Sequence, residues 1–229
     1  SNSEAANLNA AVVRNVENIE YRGLNGGNLD MANFEDATSL LMERTTGAVD
    51  VDNMATTDTL TLKDGAATMN STITYTAAGV TGTADSHSVT IDGSTAGADL
   101  EFSGAVETMS LNVTSDSAFA DLVFDAGTTT VNIDAGADLT VATTLTMAGA
   151  TAATITGAGD VTLTPALGDA VASVSAGTAT GVITISSGNV GEATDAVATF
   201  NEVDLTITTG SGADVVDVSG TNDGRELVV

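Results

Sequence analysis

Most aspartates in the later part of the chain stand beside glycine or alanine at the ends of short apolar segments. Three precede Gly or Ala-Gly and four follow Gly or Gly-Ala: Asp92, Asp125 and Asp134, then Asp99, Asp138, Asp160 and Asp214. In stacked strands such carboxylates would form columns a few ångströms apart, where like charges repel unless a divalent cation is shared. Hard oxygen ligands favour Ca²⁺ over softer metals. We therefore predict Ca²⁺ ligands among these aspartates and expect folding or assembly to depend on calcium.

Residue sets for enzymatic chemistry are scarce. The single histidine lies in Asp85-Ser86-His87-Ser88, and adjacent residues cannot face one another as a catalytic triad does. The chain has no G-x-S-x-G motif and no phosphate-binding loop. Carboxylate pairs could serve a β-helical polysaccharide hydrolase or lyase, but residues 64–224 offer no Lys or Arg and few rings to hold a sugar. We predict no catalytic residues and interpret His87 as a surface-loop residue.

The charge of the chain excludes several partners. Its 229 residues hold 5 Lys and Arg against 31 Asp and Glu, a formal net charge of −26. Nucleic acid is excluded as a partner because phosphate binding needs clustered cations. There is no cysteine, so thiolate metal sites and disulfides are unavailable. No apolar run approaches the roughly 18 residues of a membrane helix, so we expect no membrane insertion. An apolar content of 42% predicts a folded chain.

Apolar residues alternate with Thr, Ser or Asp in short segments, which is the period of a β-strand. Pairs of apolar residues recur at Val89, Leu100, Leu111 and Leu122 in steps of 11, and later steps shorten to 9 and 8. A short, nearly fixed step is typical of repeat architectures. We predict an all-β parallel β-solenoid in which one step is a strand with a corner and two or three steps make a coil. The alternative is a pair of tandem β-sandwiches.

The first 50 residues are richer in Arg, Asn and Glu than the rest. Residues 29–43 are compatible with a short helix ahead of a strand, and the ends of a solenoid need covering. We therefore predict that residues 1–50 are an N-terminal cap or junction and that residues 51–229 are the solenoid assembly domain.

The segment Gly210-Ser211-Gly212-Ala213-Asp214-Val215-Val216-Asp217 resembles the calcium-binding nonapeptide of the RTX family, with Thr209 in place of the first glycine. Its glycines allow a tight turn, and its aspartates supply charge to a cation. A weaker match is Gly157-Ala158-Gly159-Asp160-Val161. Neither continues into tandem nonapeptides, so a regular RTX β-roll is not predicted. The resemblance adds Asp217 to the candidate ligands and places Asp214 and Asp160 at motif positions.

Residues 50–225 look like the assembly region of Gram-negative surface-layer (S-layer) proteins of the type I secreted, RTX-like class. The resemblance is carried by Asn15-Val16-Glu17-Asn18-Ile19-Glu20, by the coils rich in Thr, Ala, Gly and Asp, and by the nonapeptide-like segment. It implies a calcium-bound solenoid, secretion to the extracellular cell surface and self-association into a lattice. It also leaves room for contact with cell-surface polysaccharide through another region.

The alternative function is the stalk or binding module of a large RTX-type adhesin, and a polysaccharide-active enzyme is third. Thr-x-Thr triplets resemble the hydroxyl ranks of ice-binding proteins, but their start-to-start spacings of 13, 72, 10, 8 and 44 are irregular. This irregularity favours solvent-facing threonines in ordinary strands over an ice-binding face.

Overall fold

The computed structural model describes residues 12–23, 26–168, 170–186, 205–217 and 227–228. These residues form strands joined by turns and two short 3₁₀ helices, Met31–Asn33 and Ala77–Val80. In chain order the strands are β1 Asn18–Tyr21, β2 Gly27–Asp30, β3 Ser39–Glu43, β4 Gly47–Met54, β5 Thr59–Gly65, β6 Met69–Tyr75, β7 Ser86–Ser103, β8 Thr108–Val123, β9 Thr130–Ala135, β10 Leu139–Thr146, β11 Ala152–Gly157, β12 Val161–Ala166, β13 Ser173–Ser175, β14 Ile183–Ser186, β15 Leu205–Thr208, β16 Val215–Asp217 and β17 Leu227–Val228.

The strands form a parallel β-solenoid of about 8 turns. Face A contains β1, β3, β5, the first part of β7 and of β8, β9, β11, β13, β15 and β17. Face B contains β2, β4, β6, the second part of β7 and of β8, β10, β12, β14 and β16. One coil is therefore one strand of face A, a corner and one strand of face B. The predicted all-β solenoid is confirmed.

The apolar step predicted from the sequence is half a coil. On face A the successive register partners are Val89, Leu111, Ile133 and Ile155. Each is 22 residues from the next, and the side-chain hydrogen bonds between adjacent residues of these strands join positions at the same separation of 22. Leu100 lies halfway between Val89 and Leu111 and belongs to face B. The coil thus contains two of the predicted steps, and its length sets which residues stand above one another.

A narrow apolar core fills the space between the two faces. Along each strand alternate side chains point inward, so Leu60, Val89 and Leu111 are buried at 0–1% exposure while their neighbours face solvent. The rings of Phe102 and Phe124 stack with centroids 5.7 Å apart. The core is continuous along the solenoid and consists mainly of Leu, Val, Ile, Met and Ala.

The N-terminal residues take part in the same ladders. Asn18 is the register partner of Ser39, and Ser39 that of Thr59. The segment 29–43, where a short helix was predicted, contains the end of β2, the 3₁₀ helix Met31–Asn33 and β3. Leu29, Met31 and the inward residues of β3 are buried, so tertiary packing outweighs local helix preference there. The described residues 18–50 are solenoid coils, and the role of this segment as a cap stays a prediction.

Within the described residues, no helix is both long and apolar enough to span a bilayer.

Candidate functional site

Three aspartates form a column at the corner that leads into face B. Asp116, Asp138 and Asp160 follow one another at a sequence separation of 22, and all three are exposed. Asp116 Oδ1 accepts a hydrogen bond from the backbone N–H of Asp138 at 3.3 Å, and Asp138 Oδ1 accepts one from Asp160 at 2.9 Å. Asp160 Oδ1 accepts from Val182 at 2.7 Å. The carboxylates therefore continue the backbone ladder through a corner where the strand pairing stops.

Asp214 joins this corner from the following coil. Its Oδ1 accepts a hydrogen bond from the N–H of Ile183 at 2.9 Å, while the neighbouring N–H of Val182 donates to Asp160. Two successive amides of one coil are thus held by carboxylates of the coils on either side. The Asp positions of the two nonapeptide-like segments lie at equivalent corners, as their sequence likeness suggests.

Gly159 and Gly212 of these two segments, and Gly181 of the coil between them, have a packing role. A Cβ atom on Gly159 would lie 2.1 Å from the carbonyl oxygen of Ala137, one on Gly181 2.1 Å from that of Gly159, and one on Gly212 2.3 Å from that of Gly181. At these three coils the corner therefore lies directly against a carbonyl of the preceding coil. Only glycine allows this approach, because any side chain would force the two coils apart.

Asp99 and Asp121 form a carboxylate pair on face B. They are register partners on adjacent coils, and Asn70 precedes them in the same column. Asp121 Oδ1 is buried without a hydrogen-bond partner. Adjacent strands lie about 4.8 Å apart, so the two like charges stand close together. A shared cation would neutralise both groups and supply the partner that Asp121 Oδ1 lacks.

The other candidate ligands are held separately. Asp92 accepts from the hydroxyl of Ser115 at 2.6 Å. Asp134 accepts from the hydroxyl of Thr156 at 3.1 Å. Asp125 uses both oxygens, accepting from the N–H of Gly104 at 3.1 Å and of Gly127 at 2.8 Å. Asp217 ends β16 as the register partner of Ser186.

The predicted ligands thus divide into several locations. Among the described residues there is no group of three or more Asp, Glu, His or Cys side chains arranged to hold a metal ion. Ca²⁺ takes six to eight oxygen ligands, so the Asp99 and Asp121 pair fits only as part of a site that water or a second molecule completes. Asp125 fits least well, because both of its oxygens already accept backbone hydrogen bonds.

The prediction that His87 lies in a surface loop is wrong. His87 is 3% exposed and stands at the start of β7, on the inward side in register with Met109. Its Nε2 lies 2.9 Å from the carbonyl oxygen of Asp58 and its Nδ1 2.6 Å from the hydroxyl of Tyr75. A carbonyl only accepts, so Nε2 carries the proton and Nδ1 accepts from Tyr75. Burial lowers the pKa of His87 and raises that of Tyr75.

The basic residues are concentrated at the N-terminal end. The sequence up to Lys63 holds 10 acidic and 4 basic residues, whereas the rest holds 21 acidic residues and one arginine. Arg14 pairs with Glu35 at 2.8 Å, and Arg22 contacts both Glu20 and Glu43. Partial burial acts to raise the pKa of Glu43, but the hydrogen bond and charge of Arg22 lower it overall. Carboxylates beyond these first coils have no comparable cations along the sequence until Arg225.

Two residues of these clusters were missed by sequence reasoning, Asp116 and Asp121. Neither stands next to glycine, which was the signal used to select candidate ligands. Doubling the apolar step to the length of a whole coil would have found both. Asp116 precedes Asp138 by one coil, and Asp121 follows Asp99 by one coil.

Comparison with known proteins gave no match to this chain: no family profile, no curated protein and no solved structure matched it.

Proposed function

We propose that this chain is a non-enzymatic structural module of a secreted bacterial surface layer that self-assembles in a Ca²⁺-dependent way. A parallel solenoid is suited to this role because it presents extended, regular faces on a scaffold joined by backbone hydrogen bonds at every coil. The S-layer resemblance of the sequence points to the same class.

The observation that carries the proposal is the stacking of carboxylates on successive coils. Asp99 lies beside Asp121 on face B, and Asp116, Asp138 and Asp160 follow one another at a corner. At about 5 Å in water, two unit charges repel by roughly 0.8 kcal/mol, and the figure is larger where solvent is partly excluded. The repulsion within such a column opposes its hydrogen bonds, and a shared divalent cation would remove it.

Calcium would supply the positive charge that the later coils lack. Asp99 and Asp121 would hold it most directly, because Asp121 Oδ1 has no hydrogen bond within the described structure. The corner column would contribute oxygens at a contact between molecules. Assembly is then expected to follow the extracellular calcium concentration.

The test is assembly of the complete protein, purified in EGTA and then given millimolar Ca²⁺, or Mg²⁺ at the same ionic strength. Light scattering and electron microscopy of the same samples report size and order. We expect ordered sheets with Ca²⁺ only. Isolated rods that bind Ca²⁺ would favour the adhesin stalk, and identical samples in EGTA and Ca²⁺ would contradict the proposed calcium dependence.

A pair of variants separates calcium binding from general charge. Asp121→Asn removes one charge from the carboxylate pair, and Asp50→Asn removes one from the same face where the register partner is the neutral Asn28. We expect Asp121→Asn to raise the calcium concentration at half-assembly several-fold and Asp50→Asn to leave it almost unchanged. Equal shifts would mean that calcium acts only as a diffuse counterion.

A further inference from the structure

Face A carries a shallow depression of about 430 Å³ on its outer side. Two columns of polar side chains line it: Ser88, Ser110, Asn132 and Thr154 in one, and Asn112, Asp134 and Thr156 in the other. Leu111 and Ile133, whose side chains are buried in the core, complete the lining between the two columns. The volume lies within the usual range for small-molecule sites. The depression crosses several successive coils, so a ligand lying along the solenoid axis meets similar groups at each coil.

Several of the lining groups are already oriented by hydrogen bonds. Asn132 Nδ2 donates to Ser110 Oγ at 3.3 Å, and Thr156 Oγ1 donates to Asp134 Oδ1 at 3.1 Å. These contacts leave the amide oxygen of Asn132 and the second carboxylate oxygen of Asp134 as acceptors. In the described structure the side-chain amide of Asn112 makes no hydrogen bond, so it can donate and accept. Because Asn132 and Asp134 are already oriented by their hydrogen bonds, less conformational entropy is lost when a ligand binds to them.

The negative charge around the depression disfavours anionic ligands. The lining includes a carboxylate and no basic residue, and residues 64–224 contain no Lys or Arg. Phosphate, sulfate and uronate groups are therefore disfavoured. An extended peptide that adds a strand needs a free strand edge, and the face A strands at this depression are paired on both sides.

We propose that this depression binds a neutral oligosaccharide. Sugar hydroxyls act as both donors and acceptors, which matches serine, asparagine and carboxylate groups placed on adjacent coils. The site is shallow and its lining has no aromatic ring, so the affinity is expected in the millimolar range. This inference does not rest on the proposed surface-layer function, because it depends only on the groups that line the depression.

The test is an NMR titration of the ¹⁵N-labelled complete chain in EDTA with hexaoses of glucose, mannose and galactose, and with an oligogalacturonate of equal length. We expect at least one neutral hexaose to shift resonances of the depression, with no effect of the uronate. Ser110→Ile should abolish binding, because a β-branched side chain suits a strand and fills the depression. Asn112→Ala should weaken it about 3- to 10-fold, the loss of one or two hydrogen bonds.

Asn70→Ala is the matched control, since Asn70 is an exposed asparagine in a strand of face B. It should leave binding unchanged. The proposal is overturned if no neutral hexaose shifts the depression residues in EDTA, if the uronate binds equally well, or if Asn70→Ala weakens binding as much as Asn112→Ala. The two depression variants keep the test informative if one of them does not fold.

Discussion

Replacing Gly181 by alanine tests whether direct contact between corners holds the coils together. The Cβ atom would lie 2.1 Å from the carbonyl oxygen of Gly159, whereas real Cβ contacts essentially never fall below 3.0 Å, so the coils must separate locally by roughly 0.9 Å or more. Two hydrogen bonds cross this contact, Val161 N–H to Val182 O at 2.9 Å and Val182 N–H to Asp160 Oδ1 at 2.7 Å. The same displacement along these bonds stretches them to about 3.8 and 3.6 Å, beyond ordinary hydrogen-bond range.

The expected cost follows from these contacts. Losing two hydrogen bonds costs about 1 kcal/mol each, and residual crowding adds to this. We therefore expect Gly181→Ala to lower the free energy of unfolding by about 3 kcal/mol. Gly177→Ala is the control, because its Cβ would have Thr208 Cγ2 as nearest neighbour, at 3.5 Å, an ordinary contact. It should change stability by no more than about 0.5 kcal/mol.

The assay is urea denaturation of both variants followed by far-UV circular dichroism in EGTA. In a solenoid each coil contacts only its neighbours, so the damage can appear as an early unfolding phase of the coils around Gly181 rather than a shift of the whole curve. Equal stability of the two variants, with no early phase, would refute the view that glycine is required for coil contact.

Three further predictions concern polar groups. Asp138→Ala should destabilise the fold by about 1 kcal/mol more than Asp138→Asn in urea denaturation. Both variants remove the charge, but only asparagine keeps an acceptor for the Asp160 amide, so equal losses would contradict the ladder role. Burial lowers the pKa of His87, so on acidification the unfolded chain binds a proton before the folded protein does. The free energy of unfolding should therefore fall as the pH drops below about 6.5. In the folded protein the imidazole resonances of this single histidine should not titrate near that pH, and normal titration would refute its burial. Asp121→Asn should raise stability in EGTA by about 1 kcal/mol, since it removes a charge beside Asp99; a loss of stability in thermal unfolding would contradict this.

The fold was largely predictable because one physical pattern, alternation on a fixed step, determines it. Leu100 and Leu111 lie one apolar step apart and on opposite faces, and the structure shows that two such steps close a coil. The same alternation would have predicted that His87 is buried. Val89 and Ile91 point inward, and His87 lies two residues before Val89, so the strand pattern extends to it. Because its neighbours Ser86 and Ser88 are polar, the segment was interpreted as a surface loop.

The N-terminal coils and the carboxylate clusters were less predictable. The 3₁₀ helix at Met31–Asn33 interrupts the alternation between β2 and β3, and local composition then suggested a helix. A glycine next to an aspartate correctly indicated a corner of the solenoid. Which aspartates lie side by side depends instead on the register between successive coils. That register depends on the coil length, which becomes visible only when the half-coil step is doubled, as for Asp99 and Asp121.

The constant coil length in the middle of the solenoid makes the length of the molecule a modular quantity. Leu111 and Ile133 are register partners, so removing residues 112–133 would join Leu111 to Asp134 with every later side chain facing the same way as before. Such a change would shorten the solenoid by one inter-strand spacing, about 4.8 Å, while leaving the remaining interfaces chemically alike. Duplication of the same segment would lengthen it by the same amount. The length of the solenoid can therefore change in steps of one coil while the fold stays the same.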